Sequence, residues 1–198
     1  MDERIPKMKK LFLMTTALMV LSTPVLADNY FKTLTQNMKA HQNDPIVADM
    51  HIDMDGTAFP YRIIKKGNHM RMDYKMNGME VSSFMNEDTM TLYMPAQNIL
   101  NTSKLEGGSP FAIPEPSFFD GCTLGAKTSV NGFSCQEVNC TKTETAVKMC
   151  ISDEFYIPVQ TVFEGGKVEA KRIEKRDFDS KLLTPPTKIG DKLPSLDF

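Results

Sequence analysis

The sequence predicts an α+β domain built mainly from antiparallel strands. Three observations carry that prediction: one amphipathic helix near the start, a long stretch of period-two alternation broken by turn dipeptides, and four cysteines grouped late in the chain. Together they describe an antiparallel sheet of roughly eight or nine strands, curved around an N-terminal helix, with a long apolar loop as a second cover.

The first residues have the layout of an export signal: Lys7, Lys9 and Lys10, the apolar run Leu11 to Leu21, then Val25-Leu26-Ala27. The run is too short for a permanent membrane anchor, and the small residues Val25 and Ala27 suit cleavage after Ala27. Met1 and Met8 are both candidate starts, and no cysteine follows the cut to take a lipid. The expected division is a signal peptide at 1–27, a β-rich domain at 28–183 and an irregular tail at 184–198. Removing residues 1–27 takes away four basic and two acidic residues, so the net charge moves from −2 to −4. That disfavours nucleic acid as a partner. No later apolar stretch is long enough for a membrane span, and the expected location is the periplasm.

Residues 28 to 43 place Tyr30, Phe31, Leu34 and Met38 at helical spacing, with Lys32, Gln36 and Lys39 between them. Pro45 stops this helix. From Ile46 to Pro95 the period changes to two, with turn residues at Asp55-Gly56, Lys66-Gly67-Asn68, Asn77-Gly78 and Asn86-Glu87-Asp88, which predicts a five-strand meander.

Asn77-Gly78 is the strongest of these signals, because both central residues of a type I′ turn need positive φ. A two-residue turn there sets Met76 opposite Met79, Tyr74 opposite Val81, Met72 opposite Ser83 and Met70 opposite Met85. Four-residue loops on either side extend the register, with Met85 facing Met90, Ser83 facing Leu92, Ile63 facing Met70, Tyr61 facing Met72, Ile52 facing Tyr61 and Met54 facing Phe59. One sheet face then collects Met50, Ile52, Met54, Phe59, Tyr61, Ile63, Met70, Met72, Tyr74, Met76, Met79, Val81, Met85, Met90, Leu92 and Met94, of which all but Phe59, Ile63, Met79 and Val81 are the candidate ligand contacts. The other carries Asp49, His51, Asp53, Arg62, His69, Arg71, Asp73, Lys75 and Glu80, with Ile64, Phe84 and Tyr93 as exceptions, and is expected to be solvated.

Residues 96 to 121 combine Gly107, Gly108, Pro110, Pro114 and Pro116 with Leu105, Phe111, Ile113, Phe118 and Phe119. A long loop with this many apolar residues is expected to act as a lid over the sheet. Strand pattern resumes at 127–140, 146–152, 159–163 and 168–175, with turns at Asn131-Gly132 and Glu164-Gly165-Gly166. The tail from Thr184 is expected to run along the surface without regular structure.

Cys122, Cys135, Cys140 and Cys150 in an exported chain read as two disulfides. A zinc site fits less well, since no C-x-x-C pair and no nearby His are present. Three connectivities are open. The preferred one joins Cys135 to Cys150 across a hairpin and leaves Cys122 with Cys140.

No G-x-S-x-G, H-E-x-x-H or phosphate-loop motif occurs, and no catalytic residue, cofactor or metal is implied. His41, His51 and His69 lack a paired nucleophile or orienting acid in the pattern, so they read as surface residues. Eleven methionines remain after cleavage. They suit an ordinary core filler, an adaptable lining for acyl chains or an apolar peptide, or a thioether site for Cu(I) around Met50-His51-Ile52-Asp53-Met54 and His69-Met70-Arg71-Met72. The strand pleat sets His51 and His69 opposite the methionines, against the copper reading.

The order of parts, with Asn29 to Met54, Met70-Arg71-Met72-Asp73-Tyr74, Val130-Asn131-Gly132-Phe133 and Ile157-Pro158-Val159, resembles the LolA-like lipoprotein-carrier superfamily over roughly residues 28 to 180. It is more similar to uncharacterised periplasmic relatives than to the carrier itself. The resemblance implies a bent half-barrel covered by helices and a non-enzymatic role in holding a lipid or lipoprotein acyl chain. An envelope interaction protein with a filled core is the alternative.

Overall fold

The computed structural model describes residues 24–105, 113–141 and 146–195. One helix, α1 (Pro24–Ala40), precedes eleven strands: β1 (Ile46–Met54), β2 (Thr57–Lys66), β3 (His69–Met76), β4 (Met79–Met85), β5 (Thr89–Met94), β6 (Ile99–Lys104), β7 (Cys122–Val130), β8 (Phe133–Cys140), β9 (Val147–Ser152), β10 (Pro158–Phe163) and β11 (Gly166–Lys175). They form a single antiparallel sheet in the order β6-β5-β4-β3-β2-β1-β11-β10-β9-β8-β7. Its edges, β6 and β7, do not meet, so the sheet is an open, curved half-barrel.

Two meanders are joined at the centre, where the first strand pairs with the last. β1 runs against β2 from Ile46↔Lys65 to Met54↔Thr57 and against β11 from Ile46↔Lys175 to Met54↔Gly166. A bulge between Asp49 and Met50 bends this seam, and a second one in β10, between Pro158 and Gln160, bends the next pair.

The turn at Asn77-Gly78 has positive φ at both residues, 53° and 79°, and sets the predicted pairs Met76↔Met79, Tyr74↔Val81, Met72↔Ser83 and Met70↔Met85. Met85↔Met90 and Ser83↔Leu92 also form as predicted. The two earlier loops are shorter than expected. Asp55-Gly56 alone connects Met54 to Thr57, so Ile52 faces Phe59 and Met50 faces Tyr61. Gly67-Asn68 alone connects Lys66 to His69, so Ile63 faces Met72 and Tyr61 faces Tyr74. Each slip is two residues, an even number, and every side chain keeps its predicted face.

Two further expectations are corrected. The sheet has eleven strands because the first part of the expected 96–121 loop pairs as β6, from Thr89↔Lys104 to Met94↔Ile99, and the 127–140 stretch is a hairpin of two strands. The helix begins at Pro24, before the expected cut, and Ala27 is buried in its contact with the sheet. The tail from Thr184 to Ser195 has no helix or strand, and it crosses the polar face of the first meander through contacts with Arg71 and Tyr93.

Both disulfides join the preferred partners, Cys122 with Cys140 and Cys135 with Cys150. Alternation along β8 and β9 turns Cys135 and Cys150 to one face and Val138 and Ile151 to the other. The first pair lies in a core with Ile46, Ala48, Met50, Val159, Ala170 and Ile173. Val138 and Ile151 pack under α1 with Phe31, Leu34, Phe119 and Cys122. Phe31 stacks on Phe119 at 4.7 Å between ring centres, and burying each such side chain contributes about 1.5–3 kcal/mol. Asn131 Nδ2, at the β7–β8 turn, donates to the Ala170 carbonyl at 2.8 Å and ties the outer hairpin to the central strand.

The two disulfides close loops of similar length, spanning 15 and 18 residues, so their chain-entropy contributions should each be about 3 kcal/mol. Burial separates them: Cys135 and Cys150 are 0% and 2% exposed, whereas Cys122–Cys140 ties the edge strand. Replacing Cys135 and Cys150 together by Ala should therefore lower the urea midpoint further than replacing Cys122 and Cys140, through an added cavity term. Equal losses would place both bridges in equivalent surroundings.

Candidate functional site

The Met-rich face crosses β1 to β5 and has a direction. At one end Ile46, Lys65, Met70, Met85 and Met90 share neighbouring ladder positions, since Ile46 pairs with Lys65, Lys65 with Met70, Met70 with Met85 and Met85 with Met90. Ile46, Met70 and Met85 are buried there. Lys65 closes this end. Its Nζ donates to the Gln42 carbonyl at 3.3 Å, and desolvation pushes its ammonium below the usual lysine range, against the opposing pull of Asp44.

In the middle, Met50, Val81, Ser83 and Met94 are buried, while Ile52, Tyr61, Met72, Tyr74 and Leu92 are half-buried, as is Met90 at the closed end. At the far end Met54, Phe59 and Met76 are 47%, 39% and 43% exposed. The twelve residues of the sequence prediction thus share one face but not one environment. They grade from a packed end to an exposed apolar rim beside the Asp55-Gly56 and Asn77-Gly78 turns. Phe59 adds to that rim.

The lid residues divide in the same way. Phe119 is buried against α1, Phe118 is exposed, and Leu105 and Ile113 are half-buried. Phe111 lies outside the described residues. The described part of the loop, through the 3-10 turn Pro116–Phe119, therefore packs on the helix and the β7–β9 hairpins.

The opposite face is solvated only in part: His69, Lys75 and Glu80 are exposed, but Arg71 and its apolar neighbours are covered. Val47, Ile64, Arg71, Phe84 and Thr91 form one cross-strand row, and all five are buried. Asp49, Arg62, Asp73, Ser82 and Tyr93 form the next. A second 3-10 turn, Ser180–Leu183, buries Leu182 and Leu183 and packs on β2 and β3. The chain then crosses the second row as far as Ser195.

Arg71 organises this covering. Its Nε donates to Asp73 Oδ1 at 2.8 Å, its Nη1 donates to the Leu182 and Pro194 carbonyls at 3.5 and 2.8 Å, and its guanidinium lies 5.5 Å from the Phe84 ring centre. Asp73 Oδ1 also accepts from Ser82 Oγ at 2.6 Å. Asp73 is the partner that balances the charge, and losing it would leave the buried cation uncompensated at a cost of about 3–5 kcal/mol. Tyr93 Oη donates to the Asp191 carbonyl at 2.9 Å. A cleft of about 960 Å³ remains beneath the tail, lined among others by Arg62, Asp73, Lys75, Glu80 and Ser82.

The sequence pattern missed this cover, although a signal was present. Ile64, Arg71 and Phe84, two of them apolar residues on an otherwise polar face, are direct neighbours across β2, β3 and β4. Two apolar exceptions in one row mark a surface that something else must cover.

The described residues contain no group of three or more His, Cys, Asp or Glu able to hold a metal ion. All four cysteines are in disulfides, so none offers a thiolate. His51 and Met50 stand on opposite faces of β1, as the pleat requires.

Tyr61, in the middle of the Met-rich face, has its phenol pushed up to about 12 by burial. Tyr30, on the helix, is pushed up to about 12 by burial and then by Asp153. Both stay neutral in the fold after an unfolded tyrosine, near 10, has ionised. Their contribution to stability is complete below pH 10 and is lost as the pH rises towards 12. An ultraviolet titration of the folded chain should show late-ionising phenols among its five tyrosines. Tyr61→Phe should remove one of them, whereas an unchanged late step would place Tyr61 in water.

No protein-family model matches the chain, and no curated protein matches it. Solved structures do share its fold. An uncharacterized conserved protein from Thermus thermophilus aligns with a TM-score of 0.61 at 11% identity, covering 80% of this chain and 95% of that one. A chain of the Pseudomonas aeruginosa MucA/MucB complex aligns at 0.53 and 10% identity, covering 81% of this chain and 61% of that one. A chain from a crystal structure of MucB in complex with MucA(peri) aligns at 0.50 and 7% identity, covering 74% and 56%. This chain thus spans about three-fifths of the matched chains in the MucA/MucB structures, and at these identities the likeness is one of fold.

Proposed function

We propose that this chain is a non-enzymatic binding protein of the cell envelope that holds an apolar ligand, a lipid acyl chain or the acyl chains of a lipoprotein, on the Met-lined face. The observation that carries this reading is the gradient along that face. A continuous apolar surface runs from buried Met70 and Met85 to Met54, Phe59 and Met76, which stand exposed at its end. An ordinary core ends beneath polar side chains. This one reaches water as a cluster of large apolar residues from three adjacent strands, the kind of patch that marks a binding surface.

Methionine suits such a surface because its unbranched thioether adapts to irregular chains. Each methylene removed from water contributes about 0.8 kcal/mol, so an acyl chain needs no polar anchor for useful affinity. The resemblance to the LolA-like superfamily supports the same class of ligand, and the two disulfides fit an oxidising compartment.

A second reading rests on a different observation. Met50, Met70, Val81, Met85 and Met94 are each less than a tenth exposed, as in a filled core. On that reading the domain is an envelope interaction protein without a lipid ligand.

Native mass spectrometry of the processed chain isolated from the periplasm should show a bound acyl-containing species, and a fluorescent fatty-acid probe should compete with it. Met72→Ala should weaken probe uptake about tenfold, the equivalent of about 1.4 kcal/mol of lost apolar contact. A clean unliganded mass with no probe uptake would sink the lipid reading. Met72→Ala would then lower stability alone, as the filled-core reading requires.

A further inference from the structure

The tail beyond Leu183 is held to the polar face in an unusual way. Its described hydrogen bonds with the floor are the Tyr93 hydroxyl on the Asp191 carbonyl and the Arg71 guanidinium on the Pro194 carbonyl. Both donors address main-chain oxygens, so neither depends on which side chains the tail carries.

The floor has its own order. Asp73 fixes Arg71, Ser82 fixes Asp73, and Phe84 lies under the guanidinium. The tail is a partial occupant by comparison. Thr184, Pro185, Thr187 to Gly190, Lys192, Pro194 and Ser195 are exposed, and the cleft of about 960 Å³ remains beneath it. Its bend is self-contained: the Asp191 carboxylate accepts from the Thr187 and Lys188 amides and from Thr187 Oγ1, at 3.1 to 3.2 Å.

We propose that this cleft is a docking site for an extended, proline-containing segment of a partner protein, and that residues 187–195 are its intramolecular occupant. The two carbonyls read by Tyr93 and Arg71 are three residues apart. A polyproline II segment repeats every three residues and forms no internal hydrogen bonds, so it presents such a pair of carbonyls on one side. A tyrosine hydroxyl and an arginine two strands apart, on β5 and β3, can each take one of the two carbonyls, and the Leu193-Pro194 step lies between those carbonyls in the chain's own tail. The site lies on the face opposite the methionines and stands or falls independently of the lipid reading.

The test uses a fluorescently labelled peptide copying residues 187–195 and the full processed chain. Asp191→Ala removes the bend of the tail without touching the floor. The peptide should therefore bind this variant about tenfold more tightly than the unaltered chain, whose own tail competes. Adding Tyr93→Phe to the variant should then weaken the peptide about fivefold, the loss expected for one neutral hydrogen bond. A copy carrying Pro194→Gly should bind more weakly than the natural sequence, because its unbound chain is less extended. Equal binding to the unaltered chain and Asp191→Ala would overturn the proposal. So would no binding to either, or binding to the variant that ignores Tyr93→Phe; the tail would then be a structural seal.

Discussion

The pairing of β1 with β11 is the constraint on which the rest of the molecule depends. It joins the first strand of the chain to the last across more than a hundred residues, and both meanders hang from it. Without it, β1 to β6 and β7 to β11 would each end in one more open edge, a hazard that proteins otherwise have to cover or charge. β1 is therefore central, with both edges occupied and Ile46, Val47, Ala48 and Met50 buried. The bulge between Asp49 and Met50 lies in this seam and adds twist where the sheet has to curl.

That seam also explains why both faces of the molecule are used. A strand continuing from β11 emerges at the centre of the sheet, so the 20 residues from 176 to 195 can fold back across β2 to β5. They meet a face on which Arg71 is only 6% exposed, with its charge balanced by Asp73 and its Nη1 turned to the Leu182 and Pro194 carbonyls. On the same strand Met70 and Met72 point the other way. β3 thus separates an apolar surface from a polar one by alternation alone, and a one-residue slip would exchange them, burying Asp73 among thioethers. The Asn77-Gly78 turn is what prevents that slip.

The local parts of this structure were legible in the sequence because they depend on local chemistry. Asn77-Gly78 set the β3–β4 register residue by residue, and the face of each methionine followed. The loops at Asp55-Gly56 and Gly67-Asn68 are shorter than the sequence suggests, since a turn dipeptide does not state where its flanking strands begin. Parity survived because both errors were even. β6 was hidden by its neighbours: Ile99 and Leu100 are followed by polar residues without alternation, and the glycines and prolines after them read as loop. The long-range parts were not legible. Nothing in Gly166 to Lys175 names β1 as its partner, and the cover over Ile64, Arg71 and Phe84 emerges only when three strands are set side by side.

The position of the helix bears on how the Met-lined face could work. α1 packs through Phe31 and Leu34, together with Phe119 of the 3-10 turn, on Val138 and Ile151, which belong to the second meander. The exposed rim formed by Met54, Phe59 and Met76 belongs to the first, at the hairpin ends of β1 to β4. Helix and rim are thus served by different strands. Lys65 marks the opposite end of the face, where its ammonium is held to the Gln42 carbonyl just beyond the helix. A half-buried cation lies at one end of the face and exposed thioethers at the other, so its exposed apolar end is the one beside Met54 and Met76. A chain of methylenes entering there would displace water from Met54 and Met76 first and would meet the packed side chains of Met70 and Met85 last. Affinity would then grow with the length of chain that the packed end can admit, a property set by how far flexible methionines yield rather than by any fixed void.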